Sequence, residues 1–164
     1  MKGTPIIFLE KKYRRFITLD EALKLFVMPR LMAIDYGTKR VGIAVTDSSQ
    51  MIATALATVH SKDIFQFLAD YFKKEEVECV VIGEPKQMNN RPSESAVYVN
   101  KFIAEFIKKF PHKIVQRMDE RFTSKIAAQT MLQAGLKKQD RRDKKILDVI
   151  SATLILQSYL EQKK

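Results

Sequence analysis

Three carboxylates stand far apart in this chain, each embedded in apolar sequence: Asp35 in AIDYGTKRVGIAV, Glu120 in VQRMDERFTS and Asp148 in KKILDVISATLILQSYL. Asp148 is the sharpest of the three. It interrupts an otherwise apolar helical pattern, and an ionised carboxylate on a buried helix face is costly unless a cation or hydrogen-bond donors compensate it. Hard divalent cations prefer carboxylate oxygens. Two of them roughly 4 Å apart can activate a water and stabilise the leaving oxygen in phosphodiester hydrolysis. Acids drawn from separate elements are what such a site requires, and no histidine is needed. His60 and His112 flank element ends and read as structural or exposed.

Each acid has a competing reading. Asp35 precedes Gly37 and suits a turn cap. Glu120 suits a surface ion pair of little energetic weight. Asp148 suits an exposed position near a helix start, where the helix dipole favours an acid. Against that last reading, Ser151, Ala152 and Ile155 share its helical face at i+3, i+4 and i+7. Small residues there let the helix press its carboxylate close to a sheet. Asp119 and Glu120 alternate sides of a continuing strand, so only one can readily face the site.

Further polar residues gather around these acids. Gly37 permits a tight turn and a close backbone approach to phosphate. Lys39 and Arg40 follow at once as candidate phosphate contacts. Gly83 ends a buried run, and Glu84-Pro85 opens the loop EPKQMNNRPS, where Gln87, Asn89, Asn90 and Arg91 offer donors for a nucleic-acid path. A plain polar loop is the alternative. Arg121 can pair with a carboxylate or with a substrate phosphate.

The elements that must position these groups follow from periodicity. LMAIDY, RVGIAVTD and MIATALATVH read as three strands joined by short connections, an antiparallel meander. Ser61 is placed to cap the helix KDIFQFLADYFKKEE, whose Ile64, Phe65, Phe67, Leu68, Tyr71 and Phe72 form one apolar face. VECVVIG is a buried strand. A helix runs from Ser93 to Lys109, with Pro111 limiting it, and HKIVQRMD is a fifth strand. Thr123 caps TSKIAAQTMLQAG, and Gly135 fits its stop. The last helix carries Asp148. The fold class is therefore α/β: a five-stranded mixed sheet, its first three strands antiparallel and its later strands parallel to the first, with helices on both faces. The carboxyl ends of parallel strands are where such sheets hold ligands. Asp35, Gly83–Glu84 and Asp119–Glu120 all fall there.

Length and charge narrow the classes. A chain of 164 residues fits one domain with a real core. Residues 31–164 are expected to form it, and residues 1–30 an appendage. Within that appendage TPIIFL suits a short strand, and Thr18 to Glu21 has capping-box spacing before DEALKLFV. No apolar run reaches the roughly 18 residues that span a bilayer, and the start lacks a signal peptide's apolar stretch. Cys79 is the single cysteine, which excludes an internal disulfide and a cysteine zinc cage; it reads as an inert buried thiol. A cytoplasmic protein is the expectation. Net charge is +10 and concentrated: residues 1–30 hold seven Lys/Arg against three acids, and KKQDRRDKK at 137–145 holds six against two. Lys137, Lys138, Arg141 and Arg142 belong to that loop. Such basic segments suit a polyanion partner, and solvated loops that aid solubility are the plain alternative.

Four blocks in order, AIDYGTKRVGIAV, VVIGEPKQMNN, DERFTS and LDVISATLILQSYL, resemble the YqgF (RuvX) family of Holliday-junction-resolvase-like proteins, associated with pre-16S rRNA cleavage. The resemblance covers residues 31–161. It implies an RNase H-like fold related to RuvC-type resolvases, catalytic acids at Asp35, Glu120 and Asp148, dependence on Mg²⁺ or Mn²⁺, and maturation of the 5′ end of 16S rRNA in the bacterial cytoplasm, with Holliday-junction DNA as the older expected substrate. Monomer and homodimer both stay open. Three departures stand out. Glu84 replaces a common leucine, on the strand that supplies a catalytic glutamate in RuvC-type enzymes, so it is a candidate auxiliary metal ligand. Val149 follows Asp148 where some relatives carry a second acid. Residues 1–27 lack a family counterpart, and are expected to be either a misassigned start or a basic arm. Two other functions remain: a non-catalytic RNA or transcription-complex binding module of the same fold, and a phosphotransferase of the actin and sugar-kinase superfamily, whose first phosphate loop DYGTK resembles. One domain is short for that two-lobed cleft.

Overall fold

Runs of β-branched and aliphatic residues build the central sheet. The computed structural model describes residues 28–84, 94–119 and 143–163, together with β1 (Ile6–Ile7) and β2 (Ile17–Thr18), which pair antiparallel with each other. The main sheet contains β3 (Arg30–Tyr36), β4 (Arg40–Thr46), β5 (Ala53–His60), β6 (Val77–Glu84) and β7 (Ile114–Asp119) in the order β5-β4-β3-β6-β7. β3, β4 and β5 form the expected antiparallel meander, and β6 and β7 run parallel to β3. The carboxyl ends of β3, β6 and β7 therefore share one rim, with Asp35, Glu84 and Asp119 on or next to it.

Helices cover both faces. α1 (Ile64–Lys74) and α2 (Glu94–Lys109) pack on one, where Ile34, Ile43, Val80 and Ile82 meet Ile64, Leu68, Phe102 and Phe106. The apolar face expected for α1 is the one that packs: Ile64 and Leu68 are buried, with Phe65, Phe67, Tyr71 and Phe72 against the same cluster. α3 (Lys144–Gln162) lies across β3, β4 and β5 on the other face, where Ala152, Ile155, Leu156 and Leu160 meet Leu31, Ala33, Ala44 and Val81. Cys79 is buried in this second cluster. Burial pushes its thiol pKa up, which keeps it protonated and unreactive.

The cap before α1 differs from the sequence expectation. His60 is the acceptor: its Nδ1 takes the Lys62 amide at 3.2 Å, in a short 3-10 turn over Ser61–Asp63. The Ser61 hydroxyl instead donates to the Thr38 carbonyl at 2.7 Å, and the Ser61 amide donates to the Lys39 carbonyl at 3.2 Å. Tertiary contact with the β3–β4 turn outcompetes the local cap. The helices expected at 20–27 and at 123–135 lie outside the described residues. No helix among the described residues is long and apolar enough to cross a membrane.

Candidate active site

Strand alternation decides which side chains can meet at the rim. Tyr36, the last residue of β3, stacks on Phe102 of α2 with ring centroids 4.4 Å apart. That contact anchors Tyr36 to the α1/α2 face, so Asp35 must project to the α3 face. Across the antiparallel pair Asp35 stands opposite Gly42 of β4. Gly42 and Arg40, two residues apart, share this face with Asp35.

Gly42 sets how close α3 can come. A methyl group on Gly42 would lie 1.9 Å from the Asp148 carbonyl oxygen and 2.4 Å from its carbon. The helix backbone thus rests directly on the strand where a side chain would otherwise stand. The Asp148 carboxylate is then delivered beside Asp35 rather than into solvent: its side chain is 22% exposed. Asp143 caps the start of the helix, its side chain accepting the Lys145 amide at 2.8 Å, and the Thr58 hydroxyl of β5 donates to the Lys145 carbonyl at 2.8 Å. These bonds fix the first turn, and Asp148 lies one turn further on.

The electrostatics of the pair are unfavourable as built. Asp35 is pushed up to about 6, first by desolvation and then by the charge of Asp148, against the opposing effect of a hydrogen bond with Ser151. Ser151 is the i+3 neighbour of Asp148, so one helical face supplies both the repelling charge and a donor. Arg40 meets Asp148 from the other side, its Nε donating to Oδ2 at 2.7 Å. Two adjacent carboxylates, one of them desolvated, form a donor set suited to a hard divalent cation. No group of three or more acids, histidines or cysteines able to hold a metal occurs among the described residues.

The remaining candidates divide by position. Lys39 is exposed at the β3–β4 turn, next to Arg40. Glu84, at the end of β6, forms an ion pair with Arg117. Its Oε1 accepts from Arg117 Nη1 at 3.1 Å, and the same nitrogen donates to Asn100 of α2 at 2.9 Å. Asp119 stands opposite Glu84 in the β6–β7 register, whereas Met118 packs into the α3 cluster. Glu120, Arg121, Gln87, Asn89, Asn90, Arg91, Lys137, Lys138, Arg141 and Arg142 lie outside the described residues. Glu84→Gln is expected to change divalent-ion affinity by less than about twofold in calorimetry, because Arg117 Nη1 already meets its Oε1 at 3.1 Å; a tenfold loss would put Glu84 among the ligands.

Two features were not singled out from the sequence. Gly42 carried a signal, a glycine inside the strand RVGIAV, which marks a close backbone approach. The Arg40–Asp148 contact, 108 positions apart in the chain, carried none.

Comparisons with known proteins bear on the family and the fold. Residues 29–162 match the model of the RuvX family, described as Holliday junction resolvase. A protein of Christiangramia forsetii is 56% identical over 133 residues, covering 81% of this chain and 98% of the relative. One of Flavobacterium johnsoniae is 56% identical over 137 residues, covering 84% and 99%, and one of Bacteroides fragilis is 52% identical over 137 residues with the same coverage. All three bear the name "Putative pre-16S rRNA nuclease". Among solved structures, Thermus thermophilus RuvC in complex with a Holliday junction substrate superposes with a TM-score of 0.53 at 16% identity, covering 82% of this chain and 95% of that one. That likeness shows the fold, which is RNase H-like. On the match across the whole described sheet and its helices, together with relatives more than half identical, this chain belongs to the RuvX family.

Proposed function

We propose that this chain is a divalent-metal-dependent nuclease that hydrolyses phosphodiesters of pre-16S rRNA near the 5′ end of the mature 16S sequence. The observation that carries this reading is the pairing of Asp35 with Asp148 at the carboxyl rim of the parallel strands. A fold has little reason to press two carboxylates together in a desolvated place unless a cation belongs between them. The names of the relatives supply the substrate.

Asp35 and Asp148 would hold Mg²⁺ or Mn²⁺, with Glu120 as the third acid. Glu120 follows Met118 by two positions in sequence, and Met118 packs on the α3 face that Asp35 shares. The chemistry that two such ions supply is activation of a water and stabilisation of the leaving oxygen. The protein's own part is to fix the two carboxylates and to orient the backbone of the substrate. Lys39, Arg121, the Gln87–Asn89 segment and the basic residues Lys137, Lys138, Arg141 and Arg142 are the proposed phosphate contacts, working through charge rather than base identity. The bacterial cytoplasm is the compartment where that substrate is made.

The test is cleavage of a 5′-extended 16S rRNA fragment and of a four-way DNA junction, with Mg²⁺ or Mn²⁺, by the wild type and Asp35→Asn. Cutting of the RNA by the wild type alone is the expected result. Preferential cutting of the junction would move the substrate to branched DNA. Equal background with both proteins on both substrates would leave a binding module.

A further inference from the structure

The negative charge of Asp148 is already balanced from within the protein. Arg40 Nε lies 2.7 Å from Asp148 Oδ2, and the two side chains are 33% and 22% exposed. Hydrogen bonds tie the backbone at and before Arg40 to neighbouring segments. Its carbonyl accepts the Gly37 amide at 3.0 Å, and Arg40 pairs with His60 of β5. The two residues before it are tied to Ser61 through the carbonyls of Thr38 and Lys39. A methyl group on Gly37 would lie 2.7 Å from the Arg40 carbonyl oxygen, so this closed turn tolerates little change. One third of the Arg40 side chain is open to water.

A guanidinium and a divalent cation seek the same carboxylate oxygens for the same electrostatic reason, yet they repel each other. A partly exposed ion pair contributes little to stability, so it can be broken by a ligand that binds the same oxygens more strongly. We propose that Arg40 is a built-in counter-ion of the metal site: it neutralises Asp148 in the metal-free protein, must release that carboxylate for the divalent ion to bind, and so sets the affinity for the ion. This rests on the metal-binding reading above. It assigns Arg40 a role as a competitor of the metal, distinct from any contact it makes with substrate.

The experiment is titration calorimetry with MnCl₂ on the wild type, Arg40→Gln, Arg40→Lys and Asp35→Asn, with circular dichroism to show that each is folded. Arg40→Gln is expected to bind Mn²⁺ about tenfold more tightly than the wild type, since the competitor and its repulsion are both gone. Arg40→Lys restores a cation and is expected to fall within about threefold of the wild type. Equal or weaker binding by Arg40→Gln would overturn the inference, because Arg40 would then only orient Asp148 for the ion. Tightening of Arg40→Lys to the same degree as Arg40→Gln would also overturn it, because charge would not be the cause. Failure of the wild type to bind Mn²⁺ any better than Asp35→Asn would instead remove the metal site itself, which is a different result from a wild type that binds while Arg40 has no influence.

Discussion

Asp35→Asn is expected to lose at least about a thousandfold in cleavage rate while gaining stability in the absence of metal. The loss follows from the proposed function, in which Asp35 is an anionic ligand of a site whose reaction depends on charge stabilisation. The gain follows from linkage. The carboxyl of Asp35 is raised to about 6 from 3.8 by desolvation and by Asp148. A raised folded-state value means that its favourable contribution is complete below about pH 4 and is lost as pH rises through 6. At about 1.4 kcal/mol per unit, the metal-free wild type gives up on the order of 3 kcal/mol across that window. Asparagine cannot ionise and keeps it. Thermal melts in a chelating buffer are therefore expected to show Asp35→Asn well above the wild type at pH 8, with the gap closing towards pH 4. A pH-independent gap would mean that Asp35 is not desolvated in the folded chain. Adding Mn²⁺ at pH 8 should raise the melting temperature of the wild type alone, by an amount corresponding to about 2.7 kcal/mol at a hundredfold excess over Kd.

Gly42→Ala is expected to cost about 3 kcal/mol and roughly a hundredfold in cleavage. The added methyl would meet the Asp148 carbonyl oxygen at 1.9 Å and the Val149 nitrogen at 3.1 Å. Both are helix backbone atoms, which cannot rotate aside as a side-chain end would. α3 must therefore retreat from the sheet, and overpacking of this kind costs about 1–3 kcal/mol or more. The same retreat carries Asp148 away from Asp35, and a displacement of about 1 Å in a reacting constellation is enough for a hundredfold loss. Denaturant unfolding and single-turnover cleavage measure the two effects. A variant that keeps wild-type stability would show that the helix does not sit on the strand at Gly42. Asp35→Asn loses activity and gains metal-free stability, whereas Gly42→Ala loses both, so the pair separates charge from packing.

These two variants also separate what each level of structure contributes. The sheet was legible in sequence because alternation and β-branched runs are local properties that burial then enforces. The directions of β3 to β7, the apolar face of α1 and the face of α3 that carries Ser151, Ala152 and Ile155 all follow the sequence pattern, whereas the full strand order came from the structure. The cost of the two charges was legible too, since Asp35 and Asp148 are embedded in apolar sequence and the fold brings Asp148 near enough to raise the Asp35 pKa. Ser61 shows the limit of local reasoning: its hydroxyl had two acceptable uses, and contact with the Thr38 carbonyl prevailed over capping.

Residue types and their periods alone determined the layers of this protein and singled out Asp35 and Asp148 as costly charges beside apolar sequence. Only the tertiary structure decided that the Asp148 backbone rests on Gly42, that Arg40 pairs with Asp148, and that Glu84 pairs with Arg117. The reason is physical: periodicity fixes which face a side chain takes, but the distance between two faces is set by what stands between them. Here that is a glycine with no side chain.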